Sequence, residues 1–227
     1  MKGLEDSSKC TLVEFDLSND WNDEDMHLYD KAHLCIKDGD IICFVGCNGS
    51  GKSTSLMQID SYLNRHGYAQ HWQEGSKGIR LRFDAEFDSF ISSKNQPEVL
   101  ASLYFQSTGE SLTYRFSQAI GIVGNSRTIA QVNDIPIVVM LDDCDAGTSI
   151  DVQCDIINII RFIHDDMTKQ GIKHAIVIAA NSYELCRAFK CIDCATLNEM
   201  HFETYEQYKG FVMASRKKKD ERNNVNS

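Results

Sequence analysis

Proline is almost missing from this chain: Pro97 and Pro136 are its only two in 227 residues. No Ser/Gly/Pro-rich linker, internal repeat or low-complexity core divides the sequence, so a single domain over 1–215 is expected. Long hydrophobic runs are also missing. None approaches the roughly 20 residues that cross a bilayer, and direct membrane insertion is not expected. The opening stretch MKGLEDSSKC lacks the apolar centre of a signal peptide, and a cytoplasmic location is the expectation. Positive charge is in deficit, 23 Lys and Arg against 33 Asp and Glu, for a net charge of -10. A surface that grips nucleic acid throughout is thereby disfavoured, because phosphate neutralisation needs clustered cations. The deficit is uneven: residues 1–40 hold eleven acids and four bases, whereas 216–222 read RKKKDER. A basic end of this kind is more often solvated than bound. The segment 216–227 is therefore expected to be a disordered tail, with nucleic acid kept as a secondary partner.

Cysteine is present in number, nine in all, but the count is odd and the residues are scattered. Cys35, Cys43 and Cys194 stand inside apolar runs, where a thiol packs as a small hydrophobe. Reduced thiols in a reducing compartment are expected. Cys191 and Cys194 make a C-x-x-C with no second pair, which leaves zinc or redox chemistry there as a minor alternative.

Three short apolar runs read as buried strands: IICFVG at 41–46, IPIVVMLDD at 135–143 and HAIVIAAN at 174–181. Each is rich in β-branched residues and continuous rather than alternating, as parallel strands covered on both faces are. A segment of helical character comes after each, over 52–65, 152–169 and 183–189. Strand and helix in alternation predict an α/β fold with a largely parallel central sheet. The segments CTLVEFDL and HLYDKAHLCIKD alternate and predict an N-terminal antiparallel β flap. IRLRFD at 79–84 predicts a further strand, PEVLASLYF a helix from Pro97, ATLNEMHFE a last hairpin or edge strand, and TYEQYKGFVMASRKKK a closing helix. A short helical insert is expected over about 85–128.

The chemistry begins at Gly46-Cys47-Asn48-Gly49-Ser50-Gly51-Lys52-Ser53, with Thr54 next, which fits G-x-x-x-x-G-K-[ST] in full. Glycines let backbone N–H groups curl round phosphate oxygens with no Cβ in the way. Lys52 has the reach for β and γ phosphates, and the Ser53 hydroxyl can ligate magnesium. The helix after the loop points its positive end at the same anion. Such a loop needs an acid at the end of a neighbouring strand, and the run from Ile137 ends in Asp142 and Asp143. Asp142 is the expected magnesium partner, and Asp143 the group that polarises the attacking water. The resulting fold expectation is a P-loop NTPase.

GCNGSGKST, a hydrophobic strand ending in DD and then CDAG together resemble the ATP-binding cassette (ABC) class of ATPases. That class carries a signature of the form S-x-G-E/Q at a helix start, and Ser107-Thr108-Gly109-Glu110 lies in the expected order. The resemblance implies that Ser107, Gly109 and Glu110 meet the γ-phosphate held by a second subunit. It places Asn181 at the switch position, where His is usual, and Asp143 where Glu is usual. An adenine-stacking aromatic is implied upstream, with Trp21 nearest by spacing and Phe15 and Tyr29 as rivals. A glutamine that senses the γ-phosphate through the metal is implied too, with Gln96 as candidate and Gln73 next. The Asp-Ala-Gly after Asp143 and the segment IAANSYEL are closer to non-transporter members, which serve in recombination-repair and phage exclusion. The interval of about 56 residues before the signature is short for a transporter cassette.

The expected activity is hydrolysis of ATP to ADP and phosphate with Mg2+. It is expected to be slow, since Asp143 is one methylene shorter than Glu and misplacement on that scale costs about a hundredfold. The expected assembly is a head-to-tail homodimer closed by ATP, which drives an effector or partner protein in DNA transactions or phage defence. Three alternatives stand beside it: the ATPase subunit of an ABC transporter, a P-loop kinase, and a binding module in which nucleotide only stabilises a complex.

Overall fold

In the computed structural model, which describes residues 10–18, 33–83 and 108–225 with side chains over all but 108–119 and 222–225, each of the three apolar runs forms a central strand. The elements run in order as β1 (Thr11–Asp16), β2 (His33–Lys37), β3 (Asp40–Val45), α1 (Lys52–Arg65), β4 (Tyr68–Ala69) and β5 (Gly78–Phe83). Then come α2 (Thr108–Asn133), β6 (Ile137–Asp142), α3 (Ile150–Lys169), β7 (His174–Ala179), α4 (Tyr183–Ala188), β8 (Lys190–Asp193), β9 (Glu199–Met200) and α5 (Tyr205–Val225). The chain is α/β. Its main sheet has seven strands in the order β4-β5-β6-β7-β3-β8-β9, and every pairing is parallel except the last. The β1–β2 pair forms a separate antiparallel sheet, the flap expected from its alternation.

Alternate residues of the buried strands feed two cores, as the period of two requires. Ile42, Phe44, Val138, Met140, Val177 and Ala179 face α1 and the flap, where Leu56, Ile59 and Leu63 meet Val13, Leu34 and Ile36. Cys43, Val45, Val139, Leu141, Ile176 and Ile178 face the other way, onto α2, α3 and α4. Ile156, Ile157, Ile160 and Met167 form the buried stripe of α3. Helix α1 stops at His66 because Gly67 takes the left-handed conformation at φ 86°.

Two expectations are corrected. Helix α2 is one continuous element of 26 residues, so no boundary falls at 128, and the part of the insert before Thr108 lies outside the described residues. Gly121 and Gly124 stand inside it without breaking it, each with open space where a side chain would lie. The basic end is not a loose tail either: α5 continues through the RKKKDER run to Val225. The helix predicted from Pro97 lies outside the described residues. Among the described residues, no helix is long and apolar enough to cross a membrane.

Candidate functional site

Parallel strands deliver their C-terminal ends to one edge of the sheet, and the sequence candidates gather there. The loop from Gly46 to Gly51 joins β3 to α1. Two of its positions demand glycine. A Cβ on Gly46 would lie 2.4 Å from Ser50 Oγ and 3.0 Å from Ser50 Cβ, so the backbone approaches too closely for a side chain. Gly51 is left-handed at φ 99° and serves as the N-cap of α1. No side-chain hydrogen bond caps this helix and its first turn has no acid to offset the positive end of its dipole. Lys52 is buried, and its ammonium donates to the carbonyls of Gly46 and Cys47 at 3.2 Å each. Asn48 and Gly49 lie exposed at the crest, and Thr54 is half-buried one residue beyond Ser53.

Asp142 ends β6 and is 5% exposed. The Ser53 hydroxyl donates to its Oδ1 at 2.8 Å, and Arg82 on β5 donates to its Oδ2 at 3.1 Å. Burial pushes the Asp142 carboxyl above its usual range, against the downward pull of Ser53 and Arg82. A hydroxyl and a buried carboxylate side by side are hard oxygen donors of the kind that suit magnesium.

Strand β7 lies between β3 and β6, so the chain leaving its C-terminal end passes between the glycine loop and the acids. Asn181 stands on that exit, two residues past Ala179. Its Nδ2 donates to Asp143 Oδ1 at 2.7 Å, and Asp143 itself holds the left-handed conformation at φ 49°. Asp145 Oδ2 accepts from the backbone N–H groups of Asn181 and Ser182, at 2.8 and 2.5 Å. The Tyr208 hydroxyl on α5 donates to the Asn181 carbonyl at 2.6 Å. Asn181 is thus held from the side chain, the N–H and the C=O.

No protein-family model matches the chain, and no curated protein matches it. The site stands on its own geometry, which brings Gly46, Asn48, Gly49, Ser50, Gly51, Lys52, Ser53, Thr54, Asp142, Asp143 and Asn181 to one edge.

Trp21, Tyr29, Gln96 and Ser107 lie outside the described residues. Gly109 and Glu110 fall in the first turn of α2, one and two residues past its start at Thr108. Phe15 is stacked on Tyr62 of α1, with ring centroids 4.8 Å apart, so it serves the contact between flap and helix. Gln73 sits exposed in the connection after β4, where its N–H donates to Ser76 Oγ. The C-x-x-C pair is divided between the two cores. Cys194 lies 3.3 Å from Ser55 Oγ, and Cys191 lies in the opposite core. All nine thiols are free.

Asp145 was legible only as part of the Cys-Asp-Ala-Gly run, and four further residues at the site escape the sequence motifs: Arg82, Tyr208, Ser215 and Lys219. The last two bring the far end of α5 onto the glycine loop. Cys47 N–H donates to Ser215 Oγ at 3.3 Å, and Lys219 Nζ donates to the Asn48 carbonyl at 2.9 Å. The basic run was a visible signal for Lys219, although nothing in it indicates which surface it covers.

Proposed function

We propose that the chain binds ATP with Mg2+ on the loop 46–53 and hydrolyses it slowly, as a P-loop ATPase of the non-transporter ABC type. The observation that carries the reading is the pairing of Ser53 with buried Asp142 at the mouth of a glycine loop, beside a helix end that no side chain caps. Magnesium, when bound, offsets the negative charge of the phosphates. Ser53 and Asp142 hold it, at the cost of loosening their mutual hydrogen bond and the contact of Arg82. Lys52 turns from the Gly46 and Cys47 carbonyls toward the β and γ phosphates. The loop N–H groups and the start of α1 receive the remaining oxygens.

Asp143 orients the attacking water, and Asn181 orients Asp143. An amide can donate this hydrogen bond but cannot carry a proton as His does, and the Asp143 side chain is short. Both features favour slow turnover. Trp21 against adenine, Gln96 toward the metal, and Ser107, Gly109 and Glu110 toward a second copy complete the proposal. Two chains then close head to tail on ATP, and hydrolysis releases them. The released work goes to an effector protein in DNA transactions or phage defence.

The test is the mass in solution with and without Mg-ATP. The proposal expects a dimer with ATP, a longer-lived dimer in Asp143→Asn, and a monomer in Lys52→Ala. A mass unaffected by nucleotide in all three would reject the dimer.

A further inference from the structure

Strands β3 and β8 are parallel neighbours in a register that sets Cys43 directly opposite Cys191. Paired parallel strands run about 4.8 Å apart, and side chains at matched positions leave the sheet on the same face. On that face lies α4, which brings Cys186 over both. The three Sγ atoms all lie within 4.8 Å of one another. Cys43, Cys186 and Cys191 are 0%, 3% and 1% exposed, and the thiols are free. Among the described residues, this is the one group of three or more His, Cys, Asp or Glu side chains with ligand atoms so close together. Packing alone does not require sulfur at three touching positions, since Val or Ala fills such space at no polar cost. The triad also lies on the opposite side of the sheet from Cys194, so it owes nothing to the C-x-x-C spacing.

We propose that Cys43, Cys186 and Cys191 form a three-thiolate site for one thiophilic divalent cation of the zinc type. Zinc–sulfur bonds of about 2.3 Å put sulfurs roughly 3.8 to 4.0 Å apart, so the present spacing closes on a cation with shifts of about 1 Å or less. Three thiols release three protons to solvent as the cation enters, and the filled site carries a net charge of minus one. A monovalent cation in the same place would leave minus two, which a dry interior penalises more heavily. Cys191 Sγ now lies 2.8 Å from the Cys186 carbonyl, and losing its proton turns that sulfur away from the carbonyl toward its two partners. Three sulfurs leave a fourth coordination position open, but with each cysteine 3% exposed or less no substrate reaches it, so the cation there serves the fold. Its position gives the structure a use: β3 leads into Gly46 three residues beyond Cys43, and α4 comes just after Asn181. A cation clamped there ties the strand before the glycine loop to the helix after Asn181, whether or not that loop binds nucleotide.

The experiment uses the full chain, reduced and freed of metal, titrated with Zn2+ against a chromogenic chelator. The expected result is one ion per chain, and X-ray absorption showing a shell of three sulfurs. Zinc at a hundredfold excess over its Kd is expected to raise Tm by about 5 to 10 °C. Cys43→Ala and Cys186→Ala should each weaken binding by about a hundredfold or more, while Cys10→Ala and Cys154→Ala leave it unchanged. Circular dichroism of each variant shows that it is folded, and the sulfur shell of the unmutated chain does not depend on any variant. A shell with fewer than three sulfurs, equal affinity in all four variants, or a disulfide within the triad in protein isolated without reductant would each overturn the proposal.

Discussion

Replacing Ser53 with Ala removes the 2.8 Å hydrogen bond to Asp142 and leaves a carboxylate that is 5% exposed with Arg82 as its remaining charged partner. Hydrogen bonds to charged groups contribute about 1.5 to 3 kcal/mol when buried. Ser53 itself is exposed, so water can replace its hydroxyl in part, and a loss of about 1 kcal/mol is expected. Alanine is also the better helix former in the first turn of α1, which returns a few tenths of a kcal/mol. A double-mutant cycle with Asp142→Asn cancels that contribution and should leave a coupling of about 1 kcal/mol. The cycle is read by urea unfolding at fixed pH, then repeated on the acid side. Ser53 stabilises the ionised carboxylate, so its loss is felt in full above the folded pKa of Asp142. The difference shrinks as pH falls and the carboxyl takes its proton. Burial acts the other way, raising that folded pKa, so the decline should begin above the usual carboxylate range. A coupling below about 0.3 kcal/mol, or one that ignores pH, would refute the claim that these two side chains share a hydrogen bond.

Other substitutions separate the parts of the site. Lys219→Ala removes a cation that rests on Asn48 and should weaken Mg-ATP binding by about two- to fivefold, an effect that salt reduces, with Tm nearly unchanged. A titration monitored by nucleotide fluorescence at two ionic strengths checks it. Arg127→Ala cuts the ion pair from α2 to Asp166 on α3, where Gln170 also donates to the carboxylate at 2.9 Å. Arg127 holds the Asp166 carboxyl below its usual range, so the pair stabilises the fold at neutral pH and loses that effect as pH falls through the carboxyl's folded value. Both side chains are about a third exposed, and thermal melts should show a loss of about 0.5 kcal/mol or less. Ile160→Ala, in the buried stripe of α3, should cost about 2 to 5 kcal/mol in urea and leave nucleotide affinity per folded molecule intact.

The parts of the fold that were legible in sequence are those where burial is continuous along the chain. IICFVG, IPIVVMLDD and HAIVIAAN become β3, β6 and β7 because strands covered on both faces need apolar residues at every position. The glycine loop was legible because close backbone approach at Gly46 and the left-handed turn at Gly51 permit little else. The end of α5 was not legible. RKKKDERNN has no apolar stripe, and its place is fixed by Lys219 and Ser215 on a loop some 170 residues earlier, at separations of 171 and 168. The length of α2 was hidden for a related reason: two glycines suggest interruption, and only the packing of Val123 and Ala130 on the sheet shows continuity. The cysteine triad depends on register between β3 and β8, which lie far apart in the chain, so spacing directed attention to Cys194 instead. Arg82 looked like one member of an alternating strand. Its role emerges once β5 lies beside β6 and faces Asp142.

Calorimetric titration of the full chain with Mg-ATP, alongside Lys52→Ala and Asp142→Asn, tests the central claim most directly. The account expects wild type to bind one ATP per chain, with affinity that falls at least about tenfold in Lys52→Ala, a loss of about 1.4 kcal/mol or more. Asp142→Asn should retain binding of ATP alone but lose the strengthening that Mg2+ supplies. Binding that is absent in wild type, or equally strong in both variants, would contradict the assignment of the loop 46–53 and its paired acid as a nucleotide site.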